Sequence, residues 1–252
     1  MRPTVVDVAP RGDEVSCALS GELVVPRLVR RRGRAAEVAL VAGRAMLLPG
    51  DEVRMRIAVG PGCTLTLVDI GGLVVYGRDG AGEPSGWHAR IELAADAHVA
   101  WDGLPTVVTD AGDLRRSLTI VLGPGASATC RETLVLGRAG ERGGRLRSTT
   151  DASDGTGPLL HETLDVSGSD PVPGILGHHR VMDGILALGD RAPVDDVAGA
   201  TRLDLERGGT LLRHLGEAAH ESPLAGLVRV APPHASSPTP PAERPDRARS
   251  LA

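Results

Sequence analysis

Three segments of the chain repeat one frame: an alternating apolar strand, a tight turn and a second alternating strand. They are Ile57-Ala-Val-Gly-Pro-Gly-Cys-Thr-Leu-Thr-Leu67, Ile91-Glu-Leu-Ala-Ala-Asp-Ala-His-Val-Ala-Trp101 and Ile120-Val-Leu-Gly-Pro-Gly-Ala-Ser-Ala-Thr-Cys130. The turns begin at Gly60, Ala94 and Gly123, so the period is irregular, 34 and then 29 residues. Units recurring at this interval cannot each bury their own apolar face, and stacking lets each cover its neighbour. The pattern therefore implies layered β-structure, a β-helical stack of strand-turn-strand units. Such a pile makes a scaffold or a conduit more readily than a nucleotide pocket.

The stack must be filled without large aromatics. Among 252 residues, 41% are apolar, but there is no Phe, one Tyr (Tyr76) and two Trp (Trp87 and Trp101). Val, Leu and Ala have to form the core. Lys, Asn and Gln are also absent, so every basic side chain apart from His is Arg. The net charge of −4, with acids and bases interleaved, argues against a nucleic-acid-binding body, which presents a basic face. One basic run, Arg27-Leu-Val-Arg-Arg-Arg-Gly-Arg34, reads either as a solvated edge or as a docking patch for an acidic partner. Three scattered Cys (Cys17, Cys63 and Cys130), without a Cys-x-x-Cys, fit reduced thiols and a cytoplasmic protein. No apolar run reaches the ~20 residues of a membrane span, and no leader precedes the first strand-like segment.

Along the chain, Pro49-Gly50 suits a type II turn. From Asp51 to Val59 the pattern alternates cleanly, with Val53, Met55, Ile57 and Val59 on one face. Strand character resumes repeatedly as far as Val166. After Pro173 the apolar spacing becomes helix-like over Gly174–Leu188, and Glu217–Val228 reads as a second short helix after a strand ending near Gly216. Residues 1–230 are expected to form one domain. Residues 231–252, rich in Pro, Ser and Arg, cannot bury enough apolar area to order themselves and read as a disordered tail.

Neither Gly-Pro-Gly turn is a phosphate loop, since both lie between strands and no Lys exists to reach a phosphate. His178-His179 invites a metal reading. On a helix the two would point about 100° apart, whereas His179 and Asp183, four residues apart, would share a face. In the strand carrying His161-Glu162, neighbours face opposite ways, so only one can point inward. Three acids, Asp51, Glu132 and Glu162, sit beside apolar strands or their turns. A buried carboxylate needs a partner. These three either satisfy backbone amides and Arg side chains or line a polar interior path for a divalent cation.

Several ordered segments resemble the urease accessory protein D/H family: Leu47-Leu-Pro-Gly-Asp-Glu-Val through Cys63-Thr-Leu65, Ala97-His-Val-Ala-Trp-Asp-Gly-Leu-Pro105, Arg131-Glu-Thr-Leu-Val-Leu-Gly-Arg-Ala-Gly-Glu-Arg-Gly143, Pro158-Leu-Leu-His-Glu162 and Leu211-Leu-Arg-His-Leu-Gly216. The likeness runs from about residue 15 to 228. It implies a β-helical scaffold with two helices near its C-terminal part. It implies no enzymatic activity and no tightly bound cofactor, with Ni²⁺ in transit instead. The partners implied are a helical urease accessory protein, through it a nickel-carrying GTPase, and the urease apoprotein, with no nucleic acid or membrane. By residue match Asp51, Glu132 and Glu162 would be acids of the nickel path. Two other readings remain: a metal-dependent hydrolase using His178, His179 or His161 with a nearby acid, and a pure protein-interaction module without metal transit.

Overall fold

The computed structural model describes residues 2–77, 82–189 and 194–228, and in it the three frames stack. Each turn closes with a 3.1 Å hydrogen bond, donated by the N–H of Cys63, Ala97 and Ala126 to the carbonyls of Gly60, Ala94 and Gly123. The third turn residue is left-handed in every case: Gly62 at φ 64°, Asp96 at 56° and Gly125 at 66°. Gly adopts this conformation freely and Asp is among the few other residues that tolerate it. This explains how Ala94-Ala-Asp-Ala97 makes the turn that Gly-Pro-Gly makes elsewhere. The turns also bond to one another, from Gly62 N–H to Ala95 O and from Asp96 N–H to Pro124 O, 2.9 Å each.

Among the described residues the strands are β1 (Thr4–Arg11), β2 (Glu14–Ser20), β3 (Val24–Arg32), β4 (Ala35–Ala42), β5 (Glu52–Val59), β6 (Thr64–Asp69), β7 (Leu73–Val75), β8 (Ser85–Leu93), β9 (His98–Asp102), β10 (Thr106–Val108), β11 (Asp113–Leu122), β12 (Ser127–Leu136), β13 (Arg145–Asp154), β14 (Gly157–Ser167), β15 (Val181–Leu188), β16 (Thr201–Asp204) and β17 (Thr210–Gly216). One sheet has seven strands in the order β14-β13-β11-β8-β5-β1-β2. The other has ten, with a main path β16-β17-β15-β12-β9-β6-β4-β3. The rungs β5, β8 and β11 pair in parallel, as do β6, β9 and β12, while hairpins close both ends antiparallel.

Parallel register places like residues side by side. Ile57, Ile91 and Ile120 are direct neighbours, and all are fully buried. Across from them, Leu65, Val99 and Ala128 form the matching row of the second sheet, also fully buried. The expected alternation over Glu52–Val59 is present, with Val53, Met55, Ile57 and Val59 inside. The basic run falls on β3, an edge strand, where Arg27 and everything through Arg32 is exposed.

The second sheet is interrupted twice. Ile70–Gly72 separates β6 from β7, and Gly103–Pro105 separates β9 from β10. The bends are bonded to neighbouring chain, Leu73 N–H to Pro105 O at 2.9 Å and Gly103 N–H to Arg131 O at 3.2 Å. Gly72 of the first break and Gly103 and Leu104 of the second line the cavity that forms the candidate site.

The two expected helices are not formed. Among the described residues there is no α-helix, only a three-residue 3₁₀ turn at Ala219–Glu221. Gly174 and Gly177 sit at φ 88° and 59°, outside helical backbone, and the chain from Val181 onward is β15. That strand misled the periodicity because it is buried on both faces. Met182, Leu186 and Leu188 join the main core, while Ile185 packs outward with Leu212 and Leu224. A strand covered on both sides loses its period of two and resembles a helix in sequence. Glu217–Val228 is mostly turns, and its Leu224 is what covers that outer face. The tail expected over residues 231–252 lies outside the described residues.

The turn column yields a clean test. A Cβ added at Gly62 meets nothing within 4 Å, so Gly62→Ala carries only the left-handed backbone penalty. Urea denaturation should show a loss of about 1–2 kcal/mol. An unchanged midpoint would mean that this conformation does not constrain the fold.

Candidate functional site

Superposing the three frames on their turns defines the site. Nine residues after the turn start stand Asp69, Gly103 and Glu132. The β12–β15 and β15–β17 registers then continue the row through Gly184 to Arg213. One row of the second sheet thus reads Asp69, Gly103, Glu132, Gly184, Arg213, polar side chains separated by glycines. All five line a partly open cavity of about 110 Å³ between the sheets, room for several waters. A Cβ at Gly103 would meet the Arg131 carbonyl at 2.6 Å and one at Gly184 the Leu212 carbonyl at 3.3 Å, so close backbone approach keeps both positions bare.

The facing sheet supplies the counterpart. Seven residues before the turn start stand Val53, Trp87 and Arg116, adjacent in register. The Arg116 guanidinium lies 3.6 Å from the centre of the Trp87 ring, and Trp87 in turn packs on Trp101 with ring centres 5.7 Å apart. Arg116, from β11, is ion-paired across the cavity with Glu132 of β12. Glu162, from β14, is held by Arg213 of β17 through two hydrogen bonds, Nη1 to Oε1 at 2.6 Å and Nη2 to Oε2 at 2.8 Å. The two pairs cross between the sheets with opposite polarity, arginine on one sheet in the first and on the other in the second. Forked arginine–carboxylate geometry fixes both partners more tightly than a point charge would.

Burial tunes these groups. It pulls the Arg116 guanidinium down to about 9, against the opposing effect of the Asp69 charge. It pushes the Asp69 carboxyl up, opposed by the Leu104 N–H at 3.0 Å, the Trp101 indole N–H at 3.1 Å and the charge of Arg116. The Cys130 thiol, on the same cavity wall, is pushed up to about 12 by burial and so carries no charge in the empty cavity at neutral pH.

Of the three acids singled out in the sequence, the fold brings Glu132 and Glu162 together and places Asp51 elsewhere. Asp51 sits in the expected type II turn, whose Gly50 has φ 81°. Its carboxylate accepts from Leu48 N–H at 2.8 Å and from Arg44 at 2.6 Å, while its own N–H donates to Leu48 O at 2.9 Å. This closes the loop that inserts Met46 and Leu47 into the core. Glu162 is the inward member of its pair, as alternation required, and His161 is exposed against Asp151 at 2.6 Å. Asp183 does not accompany His179. It is fully buried, bonded by Arg131 at 2.8–3.2 Å and by the Thr133 hydroxyl at 2.9 Å.

Asp69, Arg116 and Arg213 were missed in the sequence. The signal existed, because equal offsets from the repeated turns put Asp69 in the column of Glu132 and Arg116 in that of Trp87. The irregular period hid it, and Arg213 lies outside the three frames altogether.

A stack of parallel rungs with a small, partly open charged cavity between its sheets, carboxylates and arginines facing each other across it, is the architecture of a scaffold, and comparison with known proteins names the group. The family model described as UreD urease accessory protein matches residues 16–228, and the chain belongs to that family. Urease accessory protein UreD 1 of Streptomyces griseus is 43% identical over 196 residues, 76% of this chain and 76% of that protein. Urease accessory protein UreD 1 of Saccharopolyspora erythraea is 31% identical over 201 residues, covering 77% and 78%. Urease accessory protein UreD of Cupriavidus metallidurans is 30% identical over 230 residues, covering 83% and 74%. The family is one of accessory proteins and not of the urease enzyme itself. Among the described residues, no helix is long and apolar enough to cross a membrane.

Two measurements check this geometry. Asp51→Ala strips the acceptor from Leu48 N–H and should cost about 1–3 kcal/mol in denaturant unfolding. An unchanged stability would free Asp51 from its turn-closing role. Asp69, with its folded pKa raised, binds its proton more tightly in the folded chain than in the unfolded one. Its contribution is complete below the ordinary carboxylate range and is lost as pH rises through the raised value. Asp69→Asn should therefore gain stability relative to the wild type between pH 4 and pH 7, measured by urea unfolding at both. A gain that runs the other way contradicts the burial of Asp69 as the dominant influence.

Proposed function

We propose that this chain is a non-enzymatic urease maturation factor that passes Ni²⁺ through its interior. In this reading it joins the urease apoprotein to a helical accessory protein, and through that to a nickel-carrying GTPase, in the cytoplasm. The observation that carries the reading is the convergence of Glu132 and Glu162 on one cavity from opposite sheets. Carboxylate oxygens are suitable ligands for a divalent ion in transit, and nickel takes them readily beside nitrogen donors. Each carboxylate is held by an arginine, so an arriving ion has to compete with a guanidinium for the same oxygens. That competition keeps the acids from binding tightly and suits transfer better than storage. Charged pairs in a confined low-dielectric space are strongly coupled, so displacement at one pair is felt at the other. Asp69 stands at the start of the same row and extends the acidic wall by one more position.

The Glu132→Gln/Glu162→Gln double variant keeps the side-chain shape while removing both charges, at the cost of one acceptor oxygen opposite each arginine. Co-expressed with the urease cluster, it should still co-purify with the accessory complex while nickel per urease falls several-fold. Nickel at the wild-type level would defeat the interior path and favour a module that only bridges its partners. Loss of the complex itself would place both glutamates in assembly instead.

A further inference from the structure

We propose that His178, His179 and Glu217 form a surface site for a borderline first-row divalent ion of the Ni²⁺ or Zn²⁺ class. The site is separate from the interior cavity and does not depend on the interior path. One donor atom from each residue lies within 4.8 Å of the others. The two imidazole rings are 4.0 Å apart between centres, and His179 Nδ1 is 3.4 Å from Glu217 Oε1. Donors bound to one ion at metal–ligand distances near 2.0–2.1 Å sit roughly 3 Å from each other. His179 and Glu217 already have that spacing, and the exposed side chain of His178 closes the rest by rotation.

Two features distinguish this group from a chance cluster of surface side chains. First, His179 Nδ1 is buried yet makes no hydrogen bond. That nitrogen faces the Glu217 carboxylate at 3.4 Å, an ion pair only when the ring is protonated, and on the neutral ring the same two atoms converge on a position an ion can take. Second, the backbone fixes the pair. Arg180 N–H donates to Gly216 O at 3.2 Å, so the residues immediately outside that bond, His179 and Glu217, are held side by side. Arg180 is in turn clamped by its guanidinium to the carbonyls of Leu136 at 3.1 Å, Gly137 and Arg138 at 2.7 Å. His179 N–H bonds to Leu176 O at 3.0 Å and fixes the turn from the other side.

Access and chemistry agree. Both histidines line a surface pocket of about 450 Å³, wide enough for a hydrated ion to enter and keep several of its waters. Two imidazoles with one carboxylate select for the zinc, nickel and copper group over the oxygen-seeking Mg²⁺ and Ca²⁺. With three protein donors the coordination sphere stays partly open, which makes the site exchangeable.

The test uses the full-length chain without a polyhistidine tag, titrated with nickel chloride by calorimetry and by equilibrium dialysis with metal analysis. The wild-type chain should take up one equivalent at this site in the presence of excess Mg²⁺. His178→Ala/His179→Ala should abolish it, and Glu217→Gln should weaken it about tenfold or more. X-ray absorption should show imidazole scattering that disappears in the double histidine variant. Glu132→Gln/Glu162→Gln should keep this equivalent, which separates the site from the interior path. The proposal is overturned if the wild-type chain takes up no nickel. It is equally overturned if the histidine variant binds as tightly as the wild type or if the glutamine pair removes the same equivalent. Should the histidine variant fail to fold, Glu217→Gln decides alone, since that side chain is exposed and its replacement leaves the backbone bonds in place.

Discussion

The column of hydrogen-bonded turns at Gly60, Ala94 and Gly123 determines nearly everything else in the molecule. Each turn closes on itself and then bonds to the next, so successive rungs cannot slide. A shift of one residue would exchange the inner and outer faces of a strand. With sliding forbidden, Ile57, Ile91 and Ile120 must meet inside, and Asp69, Gly103 and Glu132 must share a row. The polar cavity is thus a result of backbone register before it is a result of any side-chain contact.

Placing charges within an apolar stack carries an energetic cost, and the structure offsets it locally. Arg116 is covered by Trp87 and paired with Glu132. Glu162 and Arg213 bond twice. Asp69 takes an indole and a backbone donor. Removing one partner from such an arrangement leaves an uncompensated buried charge, which costs far more than exchanging both for apolar groups. A stack built for stability alone would use valine at these positions, as Val53 does in the first rung. Trp87 and Trp101, the only two tryptophans, both line this cavity.

Much of this was legible in the sequence, for identifiable reasons. The frames and the alternation of Glu52–Val59 follow from the period of two, and the all-β stack follows from them. Glu132 and Glu162 stood out as acids within apolar strands. Asp51 stood out for the same reason, but a carboxylate following Pro-Gly has a local employer, the turn's own amide, that strand acids lack. The helices expected at Gly174–Leu188 and Glu217–Val228 failed because periodicity reports exposure and not backbone shape. β15 is enclosed on both sides, and no one-dimensional pattern distinguishes that from a buried helix. Arg116 and Arg213 looked like ordinary surface arginines, since their partners lie 16 and 51 residues away along the chain.

The strand order has a consequence for how the molecule is made. In both sheets the central strands lie in the order in which they occur in the chain, β1, β5, β8, β11 and β13 in one and β4, β6, β9, β12 and β15 in the other. The first elements, β1 with β2 and β3 with β4, are local hairpins that need no later residue. A ribosome therefore releases each rung onto a platform that is already complete, and every new strand finds its template waiting. Synthesis and stacking run in the same direction, so the growing end is the only open edge that has to wait for its partner.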